Sequence, residues 1–302
     1  MTPSAVSSTG LPRRRNPLSS SDSAFDWADL SYTALAEDLD EGQRWSTWRG
    51  VDRSSRGPRP RPEWLVTSQA ALDTELGILK TGKEADVHLI ERAVPGGESC
   101  LLAAKRYRTT EHRLFHRAAS YTEGRRGRDS RENRAVRLKS GFGRQIEATR
   151  WAQAEFATLK RLWSAGVRVP YPVQVDGGEI LMEFIGDGAT AAPRLAQCRP
   201  DRDQVRALWA QGVETLIRFG RLGLVHGDLS PFNLLVAGFD PPGEAEPELV
   251  VIDVPQVVDL VANPNGVEFL HRDCRNLADW FVRRGLDVDG DALLAEVLGA
   301  AW

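Results

Sequence analysis

The chain has 302 residues, 27% charged and 41% hydrophobic, with a formal net charge of -3 at pH 7, a globular composition with room for two lobes around a cleft. No run of about 18 apolar residues occurs, so no membrane span is expected, and the stretch MTPSAVSSTGLPRRRNPLSSSDS lacks the apolar core of a secretory signal. The three cysteines, Cys100, Cys198 and Cys274, are odd in number and far apart, which argues against a disulfide framework or a zinc site and predicts the reducing cytoplasm.

Residues 1–62 read as a disordered tail, with the serine run Ser19-Ser20-Ser21, the basic Pro-rich stretch RGPRPRP at 56–62 and few aliphatic clusters. Within it, Phe25 to Trp48 mixes acids with Trp27, Tyr32, Trp45 and Trp48, a pattern open between a linker and a short docking helix. Regular patterning starts at Trp64. Residues 64–76 suggest a helix, Leu76–Lys80 a strand, Asp86–Ile90 a second strand, Pro95-Gly96-Gly97 a turn and Cys100–Lys105 a third strand.

The stretch 106–146 has no clear period and reads as a long mobile insertion. Between Arg106 and Arg150, thirteen Arg and Lys face five Asp and Glu, a local net charge of +8. Helical spacing returns over 147–164, with Ala152, Phe156, Leu159 and Trp163 on one stripe. Pro170 and Pro172 lead into a strand at Glu179–Phe184, and Val205 to Ile217 marks a long amphipathic helix ending near Gly220. Strands at Asn233–Val236 and Leu249–Ile252, then helices near 266–284 and 290–299, complete the order: a small sheet with one helix, a connector, then a helical lobe.

The chemistry concentrates in His226-Gly227-Asp228-Leu229-Ser230-Pro231-Phe232-Asn233, which runs into the apolar Leu234-Leu235-Val236. An Asp followed five residues later by an Asn, at the mouth of a strand, sets two different oxygens beside a metal-bound triphosphate. The Asp228 carboxylate can accept a proton from an attacking hydroxyl, and the Asn233 carbonyl can ligate Mg²⁺ or Mn²⁺. Asp253 follows the β-branched run Val250-Val251-Ile252, so its carboxylate is expected at a strand end facing a cleft. Magnesium needs only one or two protein carboxylates besides phosphate oxygens.

The phosphate side is Gly77-Ile78-Leu79-Lys80-Thr81-Gly82-Lys83-Glu84, where glycines between strands let backbone N–H groups approach phosphates. The stretch nearly spells a P-loop. Glu84 takes the hydroxyl position, however, and a strand rather than a helix follows, so a P-loop NTPase is rejected. Lys105 ends its strand within reach of the inner phosphates, and Glu155 on the next helix is placed to pair with it. An isolated lysine or helix glutamate is ordinarily only solvated; as a set, the two predict an ion pair. Only 49 residues follow Asp253, too few for an activation loop and a peptide-docking subdomain.

Taken in order, Thr81-Gly82-Lys83-Glu84-Ala85-Asp86-Val87, Met182-Glu183-Phe184-Ile185-Gly186, Asp228 with Asn233, Ile252-Asp253-Val254-Pro255-Gln256 and Glu268-Phe269-Leu270-His271-Arg272-Asp273-Cys274 resemble the RIO kinases, type-one subfamily. The resemblance covers about residues 64–284. It implies an α+β, bilobal protein-kinase-like fold: an antiparallel sheet lobe at 63–186 with the flexible basic loop 106–146 and a hinge at 182–186, then a helical lobe at 187–302, truncated after the metal-binding Asp253. It implies adenine held at Met182, Glu183 and Ile185, Asp228 as catalytic residue, metal on Asn233 and Asp253, and ATP with Mg²⁺ or Mn²⁺ as cofactors.

The implied activity is a serine/threonine kinase whose protein substrate is unknown and includes the chain itself through loop 106–146. That stretch carries Thr109, Thr110, Ser120, Thr122, Ser130 and Ser140. A ribosomal RNA or ribosome partner is left open. The rival reading is a small-molecule kinase of the aminoglycoside or choline type, which shares H-G-D, Asn and a metal Asp but lacks the T-G-K-E-A loop. Two further readings use the same residues: an ATPase switch and an inactive binding scaffold.

Overall fold

Residues 43–183 build one sheet from β1 (Gln43–Trp45), β2 (Leu72–Thr81), β3 (Ala85–Ala93), β4 (Ser99–Tyr107), β5 (Pro172–Asp176) and β6 (Glu179–Glu183), antiparallel in the order β1-β2-β3-β4-β6-β5. The computed structural model describes residues 39–108, 141–239 and 246–301. The β3–β4 hairpin closes on Pro95-Gly96-Gly97, where Gly96 takes φ 68° and Gly97 N–H donates to Val94 O at 2.8 Å.

Alternation along β4 sorts its side chains by face. Leu102 and Ala104 pack with Trp48, Leu65, Tyr171, Val173 and Leu181. Lys105 and Tyr107 turn the other way, where Tyr107 meets Ala152 and Phe156 and Lys105 lines a cleft. The long helix α1 (Gly141–Ser164) covers that second face. Its Ala148, Ala152 and Phe156 belong to the sheet's core, while Leu159 and Leu162 belong to the core of the helical half. One helix therefore ties both cores together.

The structure departs from three sequence expectations. Residues 42–62 join the same compact unit as the sheet, whereas a tail was expected through residue 62. β1 pairs with β2 in the register Gln43↔Thr74 to Trp45↔Leu72, and Trp48 is buried with the Arg56 and Arg61 guanidinium groups 5.4 and 4.8 Å from its ring centroid. Cation–π stacking lets a basic Pro-rich stretch cover an apolar face. The helix expected at 64–76 is absent: Leu65, Val66 and Ala71 bury into the sheet's core as a turn-rich segment, and β2 begins at Leu72. Finally, Arg106 and Tyr107 are strand, and residues 141–146 are helix. Of the basic stretch, 109–140 lies outside the described residues, as do residues 1–38 of the expected tail.

A small hairpin of β7 (Gly186–Asp187) and β8 (Thr190–Ala191) leads from the sheet to α2 (Arg202–Arg221). The start of α2 is specified by a capping box. The Asp201 carboxylate accepts the Asp203 and Gln204 N–H groups at 2.9 Å, and the Gln204 side chain accepts the Asp201 N–H at 3.1 Å. Beyond α2 come β9 (Leu224–Val225), the antiparallel hairpin β10 (Leu234–Ala237) and β11 (Glu248–Val251), then β12 (Val258–Asp259) paired with β9. The helices α3 (Gly266–Val282) and α4 (Gly290–Ala301) pack on α2 around Leu208, Leu216, Phe219, Leu277 and Phe281. Each such fully buried side chain contributes about 1.5–3 kcal/mol. Gly212 of α2 permits that approach, since a Cβ there would meet the Leu277 Cδ2 at 3.0 Å.

Candidate functional site

Between the sheet and the helical half lies a cleft of about 810 Å³. Its roof is the turn after β2, with Gly82, Lys83 and Glu84. Its back is Lys105 and Glu155, and its floor includes Leu235, Ile252 and Asp253. The segment Met182, Glu183 and Ile185 runs along its inner edge. Sequence reasoning also named Gly77, Thr81, Asp228 and Asn233, and none of these four is among the residues that line the cleft. Gly77 sits at a β-bulge with φ 139°, and no atom lies within 4 Å of where its Cβ would be.

Lys105 is the centre of the charge arrangement. Its Nζ donates to Glu155 Oε1 at 2.7 Å and to Asp253 Oδ1 at 3.1 Å, and Tyr107 Oη donates to the other Glu155 oxygen at 2.5 Å. Burial alone would lower the Lys105 ammonium, but Glu155, Tyr107 and Asp253 outweigh it and hold it well above the ordinary lysine value. In turn Lys105 holds the Asp253 carboxyl below the usual carboxylate range, against its burial. Burial raises Glu84, the nearby Asp253 charge adds to that, and Lys105 opposes both. One cation therefore serves several carboxylates.

The Asp228 loop is fixed from three sides. Gly227 adopts φ 83°, a left-handed conformation that glycine takes without steric cost, which explains H-G-D rather than a bulkier middle residue. Its N–H and that of Leu229 both donate to Asp273 of α3 at 2.8 Å, one to each carboxylate oxygen, and Arg272 donates to Gly227 O. His226 is fully buried, and burial lowers its pKa. Its Nδ1 receives the Asp228 N–H at 3.3 Å and its Nε2 faces Ile252 O at 3.3 Å. A ring that accepts on Nδ1 and meets a carbonyl on Nε2 is the neutral tautomer protonated on Nε2. Asp228 itself is exposed.

Asn233 Nδ2 donates to Asp228 O at 2.8 Å, which fixes the amide orientation and leaves its side-chain oxygen as an acceptor. Asn233 O accepts the Ile252 N–H at 3.0 Å, so Asp253 follows directly on the strand opposite Asn233. Asp253 has φ 64°, in a region where Asp and Asn are the commonest non-glycine residues. One carboxylate and one amide oxygen form a hard-oxygen pair that suits Mg²⁺ when phosphate oxygens complete its shell. Among the described residues no cluster of three or more His, Cys, Asp or Glu is suited to a metal.

The hinge backbone is partly committed. Glu183 N–H donates to Tyr171 O and Ile185 O accepts the Ala192 N–H, both at 2.9 Å. The Glu183 carboxylate is clamped by Arg168 at 2.8 and 2.9 Å and also accepts the Tyr171 N–H. Sequence reasoning missed Tyr107, Asp273 and Arg194. Arg194 lines the cleft, and its Nη1 donates to Phe232 O at 2.8 Å. Nothing local in the sequence marks Tyr107 or Arg194. Asp273 was visible only as part of an Arg-Asp-Cys string.

A sheet lobe and a helical lobe, with a lysine–glutamate pair in the cleft between them and an Asp–Asn loop in the helical half, define a protein-kinase-like fold. A family model described as the RIO domain matches residues 94–293. The RIO-type serine/threonine-protein kinase Rio1 of Haloferax volcanii is 38% identical over 236 residues, 78% of this chain and 73% of that protein. Serine/threonine-protein kinase RIO1 of Homo sapiens is 31% identical, over 76% of this chain but 37% of that protein. RIO3 of Caenorhabditis elegans is also 31% identical, over 74% and 39%. The chain therefore spans well under half the length of these two relatives. The Rio2 kinase–ADP/Mg²⁺–phosphoaspartate complex from Chaetomium thermophilum shares the fold, with a TM-score of 0.53 and 22% identity over 75% of this chain and 62% of that one. The chain belongs to the RIO family of serine/threonine kinases, and the aminoglycoside or choline kinase alternative is set aside.

Proposed function

We propose that this chain transfers the terminal phosphoryl group of ATP to serine or threonine hydroxyls of a protein, itself among them, with Mg²⁺ or Mn²⁺ held by Asn233 and Asp253. The observation that carries this reading is Lys105 Nζ set between Glu155 and Asp253 at 2.7 and 3.1 Å on the wall of the cleft. A cation there can reach the inner phosphates while Glu155 fixes its position. Gly82, Lys83 and Glu84 would cover the phosphates from above. Glu183 C=O and Ile185 N–H, the hinge groups not used in the bonds above, would meet the adenine edge.

The bound divalent ion would neutralise charge on the phosphates. Asp228 would accept the proton of the attacking hydroxyl as its oxygen bonds to the terminal phosphorus and the bond to ADP breaks. The buried cysteines fit a reducing compartment, and we assign the protein to the cytoplasm. Among the described residues no helix is long and apolar enough to cross a membrane.

Incubation with γ-labelled ATP and Mg²⁺ tests the reading. Label should appear on the chain or an added protein, and Asp228→Ala should lower transfer by about 10²–10⁴ while nucleotide still binds. Unchanged transfer in Asp228→Ala removes Asp228 from the mechanism. The phosphoaspartate of the Rio2 complex favours a second reading, an ATPase switch that passes through an acyl phosphate. Hydroxylamine-labile label would support it, whereas alkali-labile, hydroxylamine-stable label supports serine or threonine as acceptor.

A further inference from the structure

A second cavity, of about 390 Å³, lies on the helical half beside the loop that carries Asp228. Ser230, Pro231 and Phe232 of that loop form one wall, and Asp279, Arg283 and Arg284 at the end of α3 form the other. Ser230 is two residues from Asp228, so their Cα atoms lie within about 7 Å. Anything seated against Ser230 therefore lies close to the backbone of the proposed proton acceptor.

The near wall presents Pro231 and Phe232 on a hydrogen-bonded backbone. Phe232 is 61% exposed, yet its backbone is held by Arg194, and Asn233 N–H donates to Ser230 O at 2.9 Å. Asn276 of α3 donates to Leu229 O at 3.2 Å and joins the loop to the opposite wall. An exposed phenyl on a fixed backbone presents apolar area with little ordering cost. The far wall carries a charge excess of two guanidinium groups over one carboxylate. Arg284 lies 3.4 Å from the Trp280 ring centroid and donates to Trp280 O at 3.1 Å, so it is committed to the protein. Arg283 is exposed and forms no ion pair among the described residues. Only residues 254–265 connect Asp253 to α3, and none of them lines the cavity.

We infer that this cavity docks the acceptor protein next to its phosphorylated residue, with an apolar side chain on Phe232 and an acidic side chain on Arg283. The kinase then prefers serine or threonine with a carboxylate nearby. The inference rests on the kinase reading above and adds the class of acceptor.

Three synthetic peptides test it, each with a single serine and identical except for Glu, Ala or Arg placed within three residues of that serine. Wild type should phosphorylate the Glu peptide with a kcat/KM about 1.5- to 5-fold above the Arg peptide, the range of one exposed charge pair. Arg283→Glu should reverse that order, and Phe232→Ala should raise KM for all three. Magnesium-dependent nucleotide affinity of each variant checks its fold. A wild type that hydrolyses ATP or labels itself, yet shows no preference or phosphorylates no peptide, overturns the docking inference alone. So does an Arg283→Glu variant that binds nucleotide and keeps the original order. A wild type that neither hydrolyses ATP nor transfers phosphate would instead sink the kinase reading.

Discussion

Asp273 Oδ2 accepts the Gly227 N–H at 2.8 Å across 46 residues of sequence. The other oxygen of the same carboxylate takes the Leu229 N–H, so one buried side chain of α3 holds the backbone on both sides of Asp228. A loop with an exposed carboxylate would otherwise be free to sample many conformations. Its anchoring to a helix that packs on α2 connects the core of the helical half to the geometry of the site.

Removing that anchor should be costly. Asp273→Ala leaves two buried N–H groups without partners, at about 1–3 kcal/mol each, and should lower phosphoryl transfer more than nucleotide affinity. Thermal melts and labelled-ATP assays on one sample separate the two effects; full activity at reduced stability would confine Asp273 to the fold.

The same carboxyl has a pH signature. Burial pushes it up to about 7, against the two backbone bonds, from 3.8 for the free group. An acid whose folded pKa lies above its unfolded one takes up a proton on folding. Its stabilising effect is therefore complete below about 4 and is lost as pH rises toward 7. Asp273→Asn, which does not titrate, should lack this slope. Urea unfolding of both proteins between pH 4 and 8 should show their stability difference changing across that window. A difference that stays flat would contradict the raised pKa.

Arg92 is fully buried and pairs with Asp73 through two bonds of 2.6 and 2.9 Å; Gln174 sits 3.4 Å away and donates to Thr47 Oγ1 at 2.7 Å. The chain of contacts runs from β2 and β3 through β5 to the segment after β1. Breaking a buried pair from one side costs about 3–5 kcal/mol, so Asp73→Ala should lower the urea midpoint sharply. Replacing both partners with apolar residues should recover much of that loss, and a double variant no better than Asp73→Ala would argue against an uncompensated charge as the cause.

Much of the site was legible because its parts are local. Asp228 with Asn233, the β-branched run before Asp253 and the strand-end Lys105 each announce themselves within a few residues. Pairing Lys105 with Glu155 needed only the helix stripe of Ala152 and Phe156. The contacts that escaped are long-range. Tyr107 reaches Glu155 across 48 residues and Arg194 reaches Phe232 across 38, with no composition signal for either. The segment 42–62 was misread for a different reason. Its arginines and prolines look solvated, and only the burial of Trp48 beneath two guanidinium groups turns them into a cover for the sheet. β5 went unread because five residues that begin on a proline and end before a Gly-Gly pair carry too little alternation, and its pairing with β6 supplies what the pattern lacks.

Asp253 has its carboxylate held by Lys105 at 3.1 Å and its backbone at φ 64°. Asn tolerates the left-handed conformation about as well as Asp, so Asp253→Asn removes the charge without straining the turn, whereas Asp253→Val would add strain to the charge loss. With its charge removed, the site should lose affinity for Mg²⁺–nucleotide far more than for nucleotide in EDTA, because only the metal-bound form depends on the carboxylate as a ligand. The metal-free affinity has a reason to hold or rise: Lys105 loses one of its two anionic partners and attracts phosphate more strongly. Calorimetry of ADP binding with and without Mg²⁺, on wild type and Asp253→Asn, gives four constants and one difference of differences. Equal losses in the two conditions would show that Asp253 shapes the cleft without holding the metal, and would return the metal-binding role to Asn233 alone.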